Sequence, residues 1–352
     1  MKKIFTLIVF VLFTSHLIAQ ISYIKGDSLN RNFGSDVTVL PNGNYVVTDA
    51  NWKNENNLEN VGAVYLYNGA THQLISRLTG SHANDHVGSN GIKALPNSNF
   101  VVLSSRWNNN FGAFTLVNGV TGLNAEVNIS NSIIGQEDYK GSIHLKGIGN
   151  GILTILPNGN LVFDGLNYSA YTHSNIYGYL IWIDANKGTQ GKIGDYLING
   201  EIAYLGESIG GVKVLSNGNY MIRSPGLGIN GSGEISWWDS STGKKLNTIY
   251  GLYDLEMAYT EVIELSNQNF ILNFHYGYTG HIIWLDKSIS YDSNWTPENG
   301  SNRISISGIS KVTELPNGNI IITSAWWGFA HYGAITVVNG NTGFSANHGF
   351  SG

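Results

Sequence analysis

Apolar residues in this chain come in short runs, cut by clusters of Asn, Gly, Ser and Thr, and the runs return in a fixed order. A run such as Val37-Thr-Val-Leu40 leads into Pro-Asn-Gly-Asn44, and a second run, Tyr45-Val-Val-Thr48, follows at once. Two β-rich runs joined across Asn-Gly predict an antiparallel hairpin, because Asn and Gly tolerate positive φ and suit the turn whose twist matches the flanking strands. A third run starts at a glycine and is apolar at nearly every position, as in Gly62-Ala-Val-Tyr-Leu-Tyr67, Gly112-Ala-Phe-Thr-Leu-Val117, Gly178-Tyr-Leu-Ile-Trp-Ile183 and Gly280-His-Ile-Ile-Trp-Leu285. A strand with one wet face would alternate, so these continuous runs predict cover on both faces, as when small sheets stand side by side. Asn or Asp followed by Thr-Gly then predicts another turn, as at Asn118 with Thr121-Gly122 and Asp239 with Thr242-Gly243. A short run ending in glycine completes the unit, as in Ile75–Gly80, Ser132–Gly135 and Thr248–Gly251.

The hairpin phrase occurs six times, beginning at Leu40, Leu95, Leu156, Leu215, Leu265 and Leu315, with spacings of 55, 61, 59, 50 and 50 residues. Repeats of that length, each holding four strands, predict an all-β fold: a six-bladed β-propeller with four antiparallel strands per blade. The chain ends complement one another. Ile21-Ser-Tyr-Ile-Lys-Gly26 matches Ile75-Ser-Arg-Leu-Thr-Gly80, a fourth strand without its three predecessors, whereas the last unit stops soon after Thr342-Gly343. The N-terminal strand is therefore expected to complete the last blade and close the ring, which removes both free edges.

Residues 1–19 read as an export leader, with Lys2 and Lys3, an apolar run from Ile4 to Phe13 and a small-residue cleavage site at Leu17-Ile-Ala19. Residues 20–352 read as one domain, secreted, periplasmic or attached at the cell surface. With no cysteine, no disulfide can form, so packing must hold the fold. Without Lys2 and Lys3 the 19 basic residues fall to 17 against 24 acidic ones, a formal charge of −7, which speaks against nucleic acid or an anionic membrane as partner. Only 12% of residues are charged, and neutral amides and hydroxyls carry the solvation instead, a surface suited to neutral polar ligands. A monomer with no cofactor and no metal is expected.

The unit written out, Leu-Pro-Asn-Gly-Asn-Tyr-Val-Val, then Trp, then Gly-Ala-Val and Asn-Gly-Asn-Thr-Gly, resembles repeats of bacterial filamentous-haemagglutinin-like surface proteins. That resemblance implies an exported, surface-associated propeller and carries no catalytic residue with it. Arylsulfate sulfotransferases, also six-bladed propellers, share the Leu-Pro-Asn-Gly-Asn phrase but place a histidine shortly before it. Here that stretch reads Asp36-Val-Thr-Val39, Gly91-Ile-Lys-Ala94 or Lys311-Val-Thr-Glu314, with no histidine.

The second-to-third-strand connections, which a propeller gathers on one face, carry the candidate chemistry. Trp52, Trp107, Tyr168 and Trp327 recur at one repeat position, which marks them as packing wedges. Arg106, Tyr171, His173, Tyr276, Trp326 and His331 fall outside the register and are the candidate ligand-binding residues. Aromatic faces beside neutral donors and acceptors fit a sugar ring, so a glycan or protein ligand, and an adhesin or surface-recognition role without catalysis, is the favoured function. A propeller enzyme acting on a polysaccharide or ester at the central channel is the alternative. His82-Ala-Asn-Asp-His86 brings two imidazoles and a carboxylate close in sequence, but loop spacing alone does not aim them at a metal.

Overall fold

The computed structural model describes residues 23–26, 28–29, 31–139, 143–168, 176–197, 211–224, 233–250, 260–276, 279–287, 303–307, 309–324 and 333–343. These residues are almost entirely β-structure, and each copy of the phrase lies in its own small sheet, antiparallel except for a short parallel outer strand, Ala125–Glu126 on the first and Gly191–Lys192 on the second. The first sheet runs Asp36–Val39, Tyr45–Asp49, Ala63–Tyr67, Leu74–Thr79 in chain order. The second repeats the plan with Ile92–Ala94, Phe100–Ser104, Ala113–Val117 and Ile133–Ile134. Three strands form the third sheet, Gly151–Ile155, Leu161–Tyr168 and Ile176–Ile183. The fourth has Val212–Val214, Tyr220–Ser224, Glu234–Trp238 and Lys245–Tyr250. The fifth has Thr260–Glu264, Phe270–Tyr276, Thr279–Leu285 and Arg303–Ser307. Ile309–Glu314, Asn319–Ser324 and Ala334–Asn339 make the sixth. A hairpin of Gln136–Tyr139 and Ile143–Leu145 between the second and third sheets was not foreshadowed by the repeat.

Side-chain alternation explains the doubly apolar runs. In Phe100–Ser104, Phe100 and Val102 point to the first sheet while Val101 and Leu103 point to the third. The pattern recurs, so consecutive sheets share cores: first and second around Val46, Leu66 and Val102; second and third around Phe114, Phe163 and Ile181; third and fourth around Val162, Tyr220 and Trp238. Met221, Trp237 and Leu272 join fourth to fifth, and Ile271, Trp284 and Ile322 join fifth to sixth. Sequence neighbours are thus packing neighbours, the arrangement of a propeller-like repeat array.

The phrase makes the hairpin, but by a different turn from the one expected. Leu40 O accepts from Gly43 N at 2.9 Å and Leu40 N donates to Asn44 O at 2.8 Å, with Gly43 at φ +87° and Asn42 not in the left-handed region. Pro41 sets a negative φ and leads a type I turn, so the left-handed bulge residue after it is the glycine alone. Ser98 and Gln268 hold that place at φ 69° and 70° in the second and fifth units. Gln268→Gly is therefore expected to stabilise the chain by about 1 kcal/mol in urea unfolding, since a side chain in the left-handed region costs about that much; an unchanged midpoint would remove this account of the turn.

The two Asn side chains of the phrase do a second task. Asn42 and Asn44 both donate through Nδ2 to Gly119 O of the next sheet, at 2.9 and 2.8 Å. Asn158 and Asn160 do the same to Ser240 O, and Asn267 and Asn269 to Gly340 O. Where the phrase carries Ser in place of Pro, a second tie appears: Glu264 accepts from Ser216 N and Oγ, and Glu314 from Ser266 N and Oγ.

Closure is where expectation and structure differ. Residues 23–26 join no ladder, and Ala334–Asn339 has no outer partner strand among the described residues. Ile21 and Ser22 lie outside the described residues, as does the leader.

Candidate functional site

The link between the first and second sheets, residues 80–91, meets the second-to-third connection of both. Asp85 in this link is 1% exposed and accepts from Ser81 N and His82 N through Oδ2 and from Asn108 N through Oδ1. On the other side His86 Nδ1 lies 3.0 Å from Ala50 O. Asp49, also buried, accepts from Arg31 N, Asn32 N and Asn51 N. Both loop carboxylates thus organise backbone amides. The His82–Asp85–His86 stretch holds a turn together, and no cluster of three metal-ligating side chains is found among the described residues.

Of the candidate ligand-binding residues, Arg106 is the one whose side chain is described. That side chain is exposed and makes no ion pair or hydrogen bond among the described residues, while Arg106 O accepts from Asn110 N. Its neighbour Trp107 is buried and anchors the loop in the core between the first two sheets. Trp52, the equivalent residue one unit earlier, is buried beneath the Arg77 guanidinium, 4.6 Å from the ring centre. Beyond Trp107 the chain turns left-handed through three asparagines, Asn108, Asn109 and Asn110, at φ 46°, 57° and 66°, all exposed. Asparagine tolerates this region better than most residues, which explains the run of amides. What these loops offer to solvent is therefore the Arg106 fork, the amides of Asn108 to Asn110 and the edge of His86; the two tryptophans support them from below.

His86 has a defined polarity. A carbonyl only accepts, so the hydrogen shared with Ala50 O belongs to Nδ1, and in the neutral ring Nε2 is left as an acceptor. Partial burial lowers the His86 pKa; the hydrogen bond to Ala50 opposes this, and the nearby Arg106 charge adds to it. With its pKa lowered, His86 is neutral at neutral pH and presents Nε2 as an acceptor.

Tyr171, His173, Trp326, Trp327 and His331 lie outside the described residues. Tyr168 and Tyr276 end strands of the third and fifth sheets, and their side chains lie outside the described set.

One further titratable group stands out. Asp164, in Leu161–Tyr168, is 4% exposed, and its Oδ1 is buried with no hydrogen-bond partner among the described residues. Burial pushes its carboxyl up to about 6. Alternation points it toward the fourth sheet, on the side of Val162, and no motif in the sequence marked it.

The family model that matches this chain is described as "Repeat of unknown function (DUF5650)", over residues 39–89, 94–142 and 314–347. The matched stretches fall on the first, second and last phrases, where the written-out unit is most complete. No curated protein matches. Among solved structures, Hsv2p from Kluyveromyces lactis is 11% identical, with 86% of this chain and 96% of that chain covered at a TM-score of 0.26. Hydrazine synthase from Kuenenia stuttgartiensis is 14% identical, with 90% and 99% covered at 0.30. The fold assignment stands on the sheets and their shared cores.

Proposed function

We propose that the mature chain, residues 20–352, is an exported, monomeric, non-catalytic β-propeller of six blades that binds a glycan, or a protein, through its loop face in an adhesin or surface-recognition role. The leader-like residues 1–19 and the likeness to filamentous-haemagglutinin-like repeats support export and surface association. The ring reading adds a closing strand from the segment after the leader, set beside Ala334–Asn339 once cleavage frees it. The observation that carries the binding role is the Arg106 loop: a guanidinium free of partners among the described residues, an imidazole acceptor and three amides, held on a buried tryptophan and a buried, fully bonded Asp85. A sugar presents hydroxyls that both donate and accept, and this set answers both needs without charge compensation.

Screening residues 20–352 against a glycan panel tests the proposal. Binding is expected, with Arg106→Ala weakening it about tenfold, the scale of one lost charge-assisted hydrogen bond. Trp326→Ala and His331→Ala probe the remaining candidate loops in the same assay. A panel with no binder removes the carbohydrate reading, and full affinity in Arg106→Ala moves the site elsewhere.

A further inference from the structure

Among the described residues five shared cores join six sheets, and the first and last sheets each keep one apolar face without a facing sheet. On the first sheet that face comprises Val37, Val39, Tyr45, Val47, Tyr65 and Tyr67; Leu29 and Phe33 cover part of it, while Val37 and Val39 remain 54% and 68% exposed. On the sixth, Ile321, Ile335 and Val337 share the outer face, with Ile335 and Val337 at 70% and 62%. The faces are of opposite kind. In the cores between first and second and between fifth and sixth sheets, the earlier sheet gives the second apolar position after its phrase, Val46 or Ile271, and the later one gives the first and third, Phe100 with Val102 or Ile320 with Ile322. The sixth sheet's free face carries its second position, Ile321, and the first sheet's carries its first and third, Tyr45 and Val47.

We propose that these two faces are partners within one chain, forming a sixth core of the same kind and register as the other five. Two details of the seams agree. Each sheet whose phrase reads Leu-Ser is followed by a sheet with Glu just before its Leu: Ser216 by Glu264, and Ser266 by Glu314. Each sheet with Leu-Pro is followed by an apolar residue there, since proline has no N–H to donate: Pro41 by Ala94, Pro96 by Ile155, Pro157 by Val214. The sixth sheet has Pro316, and the first has Val39, as the same rule requires. The amide ties also have their missing members ready. Asn317 and Asn319 occupy the places of the donating pairs that tie three of the five seams, and Gly69 holds the acceptor place of Gly119 and Gly340. Val37 and Val39 at one end and Ile335 and Val337 at the other are the exposed apolar side chains that such a contact removes from water.

This inference rests on the ring reading above and not on ligand binding, so the two fail separately: glycan affinity reports the Arg106 loop, whereas the following measurements report the seam. Pro316→Ser and Val39→Glu together would recreate the Ser–Glu tie found at the fourth and fifth phrases. In a double-mutant cycle the double variant is expected to melt about 2–4 °C above the value given by adding the single changes, independently of protein concentration. Because the chain has no native cysteine, Val39→Cys with Pro316→Cys, treated with a short bis-maleimide, is expected to give chiefly crosslinked single chains. Additive melting shifts with no intrachain product overturn the proposal. Crosslinks joining separate chains, increasing with concentration, also overturn it and identify a second copy as the occupant of each face.

Discussion

Gly112→Ala is expected to lower the unfolding free energy by about 3–5 kcal/mol, among the larger costs a single substitution carries. Gly112 opens the third strand of the second sheet at φ +82°, and a Cβ there would stand 2.2 Å from Ile148 O and 2.5 Å from Ile148 N. Those are backbone atoms in the link to the third sheet, bonded in turn to Phe111 O, so no rotamer change relieves the clash and the two sheets must move apart. Gly62 meets the equivalent link at Val87 N, also at 2.2 Å, which is the physical reason the third strands of the first two sheets follow directly on a glycine. The control is Gly43→Ala: its φ is +87°, yet nothing lies within 4 Å of the added Cβ, so it should cost only the left-handed penalty of about 1–2 kcal/mol. Urea unfolding of both variants decides the matter, and equal midpoints would show that the close approach to Ile148 is not what fixes glycine at 112.

The second large effect depends on pH and comes from Asp164. Its carboxyl is raised from an ordinary value of 3.8 to about 6 by burial. Between those two values the folded chain holds a proton that the unfolded chain has released. The contribution of this group is therefore intact below about pH 4, is lost as pH rises through about 6, and stays lost above. The full swing is about 3 kcal/mol for a displacement of that size. Asp164→Asn cannot ionise, so it should match the native chain near pH 4 and exceed it in stability at pH 8. Unfolding midpoints taken at several values from pH 4 to pH 8 check this, and parallel profiles for the two proteins would refute a buried, titrating Asp164.

Much of this architecture was readable because it is written six times. The phrase marked each hairpin, Asn118, Asp239 and Asn339 marked the next turn by accepting backbone N–H groups two and three residues on, and doubly apolar runs foretold sheets covered on both faces. The turn type was misjudged because Asn-Gly was weighed without the proline before it. The ties to Gly119, Ser240 and Gly340 were missed although their signal was present: a turn calls for Asn at one place, yet all six phrases carry it at two. The Ser216–Glu264 and Ser266–Glu314 ties left a comparable trace in paired substitutions. Site residues were harder to see, since they do not repeat. Arg106 announced itself by leaving the register, whereas Asp85 and His86 drew notice only as part of a His–Asp–His stretch whose spacing did not aim it at a metal; their bonds to Asn108 N and Ala50 O show them positioning the two neighbouring loops. Asp164 left no trace, because its environment is supplied by a neighbouring sheet.

The amide ties between sheets are uncharged, and each spans a single boundary. A whole unit can accordingly be inserted or deleted as one block during evolution, leaving every other seam matched, so long as a serine-bearing phrase travels with the glutamate of its successor. The blade number of related chains is then free to drift while the joins draw on the same few groups.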